Sequence, residues 1–334
     1  MKSNKVYGRI VWVDWAKSIC MFLVVLGHCH IREEEQFVIQ YIYSFHMPLF
    51  FFLSGLLCKR ELSKESIKYD LRYLILPYFT YGIIFIVFGL IRLRIIDFVF
   101  MFNKLEALFY GFDAGIGPIW FLPALFFCKQ LFLLVKLLKH HCLIVYYLFL
   151  VLSFLPAYFI SCSKLNFPFF IDSALCGLPF FFIGNESFRF LMKLSSYKVY
   201  FRTCFACLGF LISIPLCFLN GYVIFADCII GKSVLLYYIN AFALLFSVIL
   251  FSTVISKIRY NLVTVVSYGS MVVLGFHGIF LTLFNYYLPL LLGMEPSTYS
   301  IIYGLLFSII TIILCYILII LIDGKCLFLF GLKV

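Results

Sequence analysis

The chain reads as an all-α integral membrane protein, a polytopic bundle of about ten transmembrane helices with both termini cytoplasmic. Three observations predict this. The 334 residues are 65% hydrophobic and only 12% charged, whereas soluble domains are about 45–50% apolar and about 25% charged. The apolar residues gather into runs of about 20, the length that a helix needs to cross a bilayer. The Lys and Arg residues fall in alternate loops, an asymmetry that orients membrane helices.

The runs cover 10–30, 37–58, 73–91, 118–138, 142–161, 168–188, 199–220, 233–255, 264–290 and 299–322. Lys2, Lys5 and Arg9 precede the first run in the manner of a signal peptide. Asp14 and Lys17 interrupt that run and no small-x-small cleavage site follows, so it reads as a retained first helix. The ninth run is long enough to tilt or break near Pro289. Segment 92–117 is the longest loop. Its stretch NKLEALFYGF places Leu105, Leu108 and Phe109 at helical spacing, which predicts a short interfacial helix. Gly111, Gly115 and Gly117 then make a turn into Pro118. No internal repeat or low-complexity tail is visible. With no room for a soluble domain, the chain 1–334 reads as a single membrane domain.

The formal net charge is +11, but its placement argues against nucleic acid. With the N-terminus inside, 18 Lys and Arg residues lie in inside segments and 6 in outside loops, Lys17 and Lys129 being assigned to spans. The inside set includes Lys59, Arg60, Lys64, Lys68 and Arg72; the outside set is Arg32, Arg92, Arg94, Lys104, Lys164 and Lys232. The positive-inside rule explains this pattern without an anionic partner. The thirteen cysteines are odd in number and scattered mostly through apolar runs, so a disulfide framework is not expected. Cys204 and Cys207 form a CxxC inside a span and are expected to pack.

Ionisable groups inside a bilayer are expensive and mark functional candidates. His28 closes the first run, either snorkelling to water or serving chemistry. Asp14, fourteen residues earlier, shares its helix face but lies about 21 Å away along the axis. Asp14 and Lys17 are spaced to pair with each other. His46 stands about 13 Å into the second run, just before Met47-Pro48. It is either a second functional imidazole or a buried one bonded to backbone exposed at the proline kink. Arg72 opens the third run as a topology signal or as an anion site. Trp120 is an aromatic-belt residue or a ligand contact, and Asn185-Glu186 ends the sixth run or binds substrate. His277 is mid-span without a charged sequence neighbour.

These residues together resemble the membrane acyltransferase-3 family, which includes bacterial O-acetyltransferases of surface polysaccharides. The resemblance lies in Arg9, Asp14, Lys17 and Gly27-His28, then Ser44-Phe45-His46-Met47-Pro48 through Ser54-Gly55. Arg72 before Leu76-Pro77-Tyr78, Ile119-Trp120-Phe121-Leu122, Gly184-Asn185-Glu186, and Ser270 with His277 extend it. It is specific over 9–80 and looser beyond 190. The family's paired-arginine RxxR motif is represented by Arg72 alone, because Tyr69 and Ile75 flank it at that spacing. Lys68 is the nearest replacement charge.

The resemblance implies ten helices in a bacterial inner membrane. It also implies transfer of an acyl group, usually acetyl from acetyl-CoA, to a hydroxyl of a surface polysaccharide or its lipid-linked precursor. No metal is implied. Histidine suits general-base work near neutral pH. His28, His46 and Asp14 are therefore the catalytic candidates. Arg72, Lys17, Lys68, Trp120, Asn185, Glu186 and His277 are the substrate- and donor-binding ones. Two other classes compete. A polysaccharide polymerase or flippase of the same pathway has as many helices but lacks the GH…FHMP signature. A secondary transporter would show inverted repeats, which are not visible here.

Overall fold

A computed structural model describes residues 9–93, 98–111, 117–163, 166–291, 298–322 and 327–332. Lys2, Lys5, Arg94, Gly115, Lys164, Lys325 and Lys333, used above for topology or turn assignment, lie outside the described residues. The described chain is an all-α bundle without strands, its only extended pairings being the isolated bridges Ile31–Tyr299 and Ile224–Ile229. Nine helical segments among these residues are at least 18 residues long and apolar enough to cross a membrane. The first helix, α1 (Val11–Gly27), corresponds to the first run but has 17 residues.

The second run is broken. α2 (Gln36–Tyr43) stops at Ser44-Phe45, and α3 (His46–Leu56) restarts directly after it. Pro48 has no N–H for the Ser44 carbonyl and its ring crowds that position. Ser44 Oγ instead turns back to donate to the Tyr41 carbonyl, at 2.8 Å. The third span begins at Lys64, earlier than the expected 73. Ser63 caps α4 (Lys64–Asp70), accepting from the Ser66 N–H at 3.1 Å. A π-helical turn, Leu71–Ile75, joins α4 to α5 (Leu76–Leu93).

α6 (Phe98–Tyr110) covers Leu105, Leu108 and Phe109, where a short helix is expected. It exposes Phe98, Val99, Phe102 and Phe109 and buries Leu108 against Gly82. α7 (Phe121–Lys136) follows a 3-10 turn, Gly117–Trp120. The fifth run divides into α8 (Leu143–Leu152) and α9 (Leu155–Ser163) at Pro156. Then come α10 (Ile171–Glu186), α11 (Phe188–Leu194), α12 (Val199–Asn220) and α13 (Val234–Ile255). The ninth run breaks at Gly269 into α14 (Asn261–Tyr268) and α15 (Ser270–Thr282). A π-helical turn, Leu283–Tyr287, and the short α16 (Leu288–Leu291) then carry it past Pro289. α17 (Ile301–Ile322) is the last span.

The centre of the bundle is the crossing of α3 and α10. A Cβ on Gly55 would lie 1.9 Å from the Phe181 carbonyl oxygen, and one on Gly184 2.1 Å from that of Phe52. Only glycine permits this backbone contact, as in other close membrane-helix pairs. Phe51, Phe52, Phe132, Phe180, Phe181 and Phe182 fill the space around it and are fully buried. At the periphery, Ile144, Phe159, Phe218, Ile302 and Leu321 are exposed, the apolar surface that lipid covers. Cys204 and Cys207 are on that surface too, so they are not packed as the sequence predicts. The expectation came from the usual burial of cysteine; the exposed face of α12 overrides it.

The two ends of the bundle differ. One end carries Arg9, Asp14, Lys59 and Arg60 and is here termed the basic end. At the opposite end the chain leaving α1 is stitched to the chain entering α17. Arg32 N–H donates to the Tyr299 carbonyl at 3.0 Å and Tyr299 N–H to the His30 carbonyl at 2.8 Å. The Glu35 carboxylate accepts from the Ile301 N–H at 2.7 Å, a favourable anion position at a helix start.

Candidate active site

α1 ends on His28, which caps its C-terminus. The break between α2 and α3 places Tyr43 and His46 beside it. Ring centroids are 6.3 Å apart for His28–Tyr43, 5.1 Å for Tyr43–His46 and 5.1 Å for His28–His277. Four rings from three separate spans therefore form one cluster. Each outer histidine is anchored by Nδ1 on the carbonyl four residues back. His46 bonds Ile42 at 2.9 Å and His277 bonds Val273 at 2.8 Å. A carbonyl only accepts, so Nδ1 carries the proton in both. Tyr43 donates its hydroxyl to the Gly27 carbonyl at 2.9 Å. His46 and His277 are buried, whereas His28 is exposed.

His28 is exposed to two cavities. One, of about 360 Å³, is bounded by Val24, Tyr43, His46, Met47, Trp120 and Leu274. Trp120 stacks on Phe225 within it, with centroids 6.1 Å apart and planes at 23°. The other, of about 440 Å³, is bounded by His28, His30, Arg92, His277, Asn285 and Tyr286. Gly117 and Pro118 join His28 on the boundary shared by both.

The basic end has its own cavity, of about 210 Å³, which Lys17, Lys59, Arg60 and Lys129 line. Arg60 lies over the Tyr69 ring at 3.3 Å. Asp70, also in the lining, accepts from Lys129 Nζ at 2.6 Å and Gln130 Nε2 at 2.9 Å. Three helices run from this cavity to the histidine cavity on one face each. Lys17 and Val24 are seven residues apart on α1, Ser54 and Met47 seven apart on α3, Met271 and Leu274 three apart on α15. Seven residues are two turns, about 10 Å, and three are about one turn. The two cavities therefore face each other across one to two helical turns.

The remaining candidates fall elsewhere. Asp14 does not meet His28. Its carboxylate receives two bonds from Arg9, at 2.6 and 3.1 Å, and one from Ser267 Oγ at 2.7 Å, while Arg9 also bonds the Thr264 carbonyl at 2.7 Å. This clamp holds the start of α1 to α14. Arg72 is exposed and lies over the Phe328 ring at 4.6 Å; Lys68 is exposed as well. Neither lines the basic cavity, although their neighbours Tyr69, Asp70 and Tyr73 do. Asn185 donates to the Gly55 and Cys58 carbonyls at 2.9 and 2.8 Å, capping the end of α3. Glu186 accepts from Lys139 at 2.6 Å and Tyr146 at 2.7 Å, tying α10 to the connection before α8. So the structure brings together His28, His46, His277 and Trp120, and separately sets Lys17 among the basic residues.

Sequence reasoning passed over Tyr43, His30, Asn285 and Lys129. Tyr43 precedes His46 by three residues, one helical turn, a spacing that was available as a signal. The others approach the site only through folding. Among the described residues no group of three His, Cys, Asp or Glu is placed to hold a metal ion.

The polytopic fold, with His28 open to two cavities, is more than a simple membrane anchor. The chain matches the family model described as an acyltransferase domain, of the acyltransferase-3 type, over residues 10–320. It belongs to that family and is a multi-pass membrane acyltransferase. No curated protein and no solved structure gives a significant match.

Proposed function

We propose that this acyltransferase moves an acetyl group from acetyl-CoA to a hydroxyl of a cell-surface polysaccharide or its lipid-linked precursor, in a bacterial inner membrane. One observation carries the reading: the accessible imidazole of His28 faces a cavity that points, across one to two helical turns, at a second cavity lined by cations. The adenosine and phosphates of the donor dock at the basic end, which lies in the cytoplasm by the positive-inside rule. Lys17, Lys59 and Arg60 meet the phosphates. The flexible pantetheine arm extends along α1, α3 and α15 and delivers the thioester beside His28.

In the transfer, His28 accepts the proton of the acceptor hydroxyl while its oxygen attacks the acetyl carbonyl. The C–S bond breaks, the new ester C–O bond remains, and the proton passes to the CoA thiolate. A base positioned this way contributes about 10²–10⁴-fold. Trp120 supplies a flat apolar wall at the reacting end, of the kind that sugar and pantetheine faces pack against. His46 and Tyr43 hold the His28 surroundings in shape. Arg72 and Lys68 add positive charge outside the cavity lining.

The test is CoA release by the purified protein with acetyl-CoA and glycan from a host strain, together with mass spectrometry of that glycan. The expected result is a mass gain of one acetyl per modified unit, lost in His28→Ala. Absence of donor binding by the folded protein would defeat the reading. A reporter-fusion map placing 59–72 outside the cell would defeat the orientation.

A further inference from the structure

The 440 Å³ cavity on the far side of His28 is distinct in chemistry from the cavity that faces the basic end. It contains two buried acceptors with no hydrogen-bond partner, His277 Nε2 and Asn285 Oδ1. His277 is fully buried and Asn285 7% exposed. Since Nδ1 of His277 is committed to the Val273 carbonyl, Nε2 is left with the lone pair, buried in the wall of the cavity. Buried acceptors left without donors are costly, and the hydroxyls of a sugar satisfy acceptors of this kind.

The same cavity is cationic. Arg92 lies over the Tyr286 ring at 4.8 Å, His30 is a second basic group, and no acidic side chain stands among the described residues of the lining. Arg92 belongs to the end of the bundle where Lys and Arg are sparse, so topology does not account for it. A planar guanidinium fork matches a carboxylate or phosphate. A 550 Å³ cavity that adjoins the other side of the 360 Å³ one is the opposite, with Asp172 and Asp227 in its lining, and Asp227 lines the 360 Å³ cavity as well. An anionic group is therefore directed to the Arg92 side.

We infer that this cavity seats the acceptor and that the acceptor is a sugar bearing an anionic group, either a carboxylate on the ring or a phosphate at its linkage. Arg92 holds the anion, His277 and Asn285 receive hydroxyls, and the reacting hydroxyl is presented to His28 from the side opposite the donor. This rests on the acyl-transfer reading above. His277 and Asn285 act here as acceptor-binding groups.

The probes are methyl β-glucuronide, glucose 1-phosphate and the uncharged methyl β-glucoside, with binding to the full-length protein in detergent followed by calorimetry. Acetyl-CoA binding is measured on the same samples. At least one anionic sugar should bind about 10-fold or more tightly than the glucoside, equivalent to about 1.4 kcal/mol. The preferred anion distinguishes the sources: phosphate points to a lipid-linked precursor, carboxylate to an acidic repeat unit. In Arg92→Gln the preference should fall to near one. A Cβ on Gly89, which is in the lining, would meet nothing within 4 Å. Gly89→Leu therefore adds bulk at the lining from an open position, and should weaken all sugar binding with the thermal midpoint unchanged. Equal binding of the three sugars overturns the inference. So does a preference that survives Arg92→Gln, or binding of acetyl-CoA without any sugar. Loss of acetyl-CoA binding with the anionic preference intact would instead defeat the acyl-CoA reading and leave the anion subsite standing.

Discussion

The basic end and the histidine end differ in how their ionisable side chains are bonded, although each holds buried polar atoms without a partner, Ser66 Oγ and Gln130 Oε1 at the basic end among them. At the basic end three carboxylates are occupied: Asp14 by Arg9 and Ser267, Asp70 by Lys129 and Gln130, Glu186 by Lys139 and Tyr146. At the histidine end His28 is open to two cavities, and His277 Nε2 and Asn285 Oδ1 lack partners. Satisfied networks make a bundle rigid, while unsatisfied groups beside a cavity are where a ligand completes the structure. Both ends are rich in ionisable residues, so composition alone does not tell them apart. Bonding does.

The sharpest way to break this comparison is His28→Ala. Transfer should fall by about 100-fold or more, with the elution profile in detergent and the thermal midpoint unchanged. A large drop in thermal midpoint would mean that the histidine end is structural after all. Asp70→Ala should do the reverse. Removing one partner of a buried pair costs about 3–5 kcal/mol, so thermal stability should fall markedly, and by more than activity per folded molecule, which changes only through the donor cavity that Asp70 lines. Gly55→Ala tests the crossing that supports both ends. The added methyl group meets backbone and not a movable side chain, and overpacking of this sort costs about 1–3 kcal/mol. Expression and thermal midpoint should both drop.

The smallest effect separates two arginines. Arg60 lines the basic cavity and Arg72 does not. Arg60→Ala should raise the KM for acetyl-CoA about 10-fold, as expected for loss of one charge-assisted contact. Arg72→Lys should leave KM within about 2-fold, because its stacking on Phe328 is worth only about 0.5–1 kcal/mol. A larger rise for Arg72→Lys than for Arg60→Ala would move the donor phosphates out of the cavity and onto the π-helical turn.

The spans were legible in the sequence because burial in lipid writes itself as long apolar runs. Each of the ten runs corresponds to helix. Boundaries were less legible where the helix is amphipathic: α4 carries Lys64 and Lys68 and looked like a loop, yet its Ser63 cap and helical spacing continue it into α5. The break at Ser44-Phe45 was foreshadowed by Pro48, but its effect, setting Tyr43 and His46 against His28, depends on how α1 packs. Bonding partners were the least legible. Asp14 was spaced for Lys17 and bonds Arg9 across the helix start. Asp70 bonds Lys129, 59 residues away, and Asn185 reaches Gly55 across 130. Periodicity has no access to such separations, so it could not tell which polar residues were committed to the fold.

One consequence follows from the length of α1. Seventeen residues span about 26 Å at 1.5 Å each, against a hydrocarbon layer of about 30 Å. A helix of this length that starts at the inner boundary of the layer would end about 4 Å short of the outer one, and His28 at its end would then sit below that boundary. Bilayer thickness is then a control variable for the enzyme. Lipids with longer acyl chains would bury the His28 end of α1 more deeply, and shorter chains would uncover it. Hydrophobic mismatch of this kind costs only a fraction of a kcal/mol per ångström. That is enough to tune substrate access without disturbing the fold, so turnover should depend on lipid chain length in reconstituted vesicles.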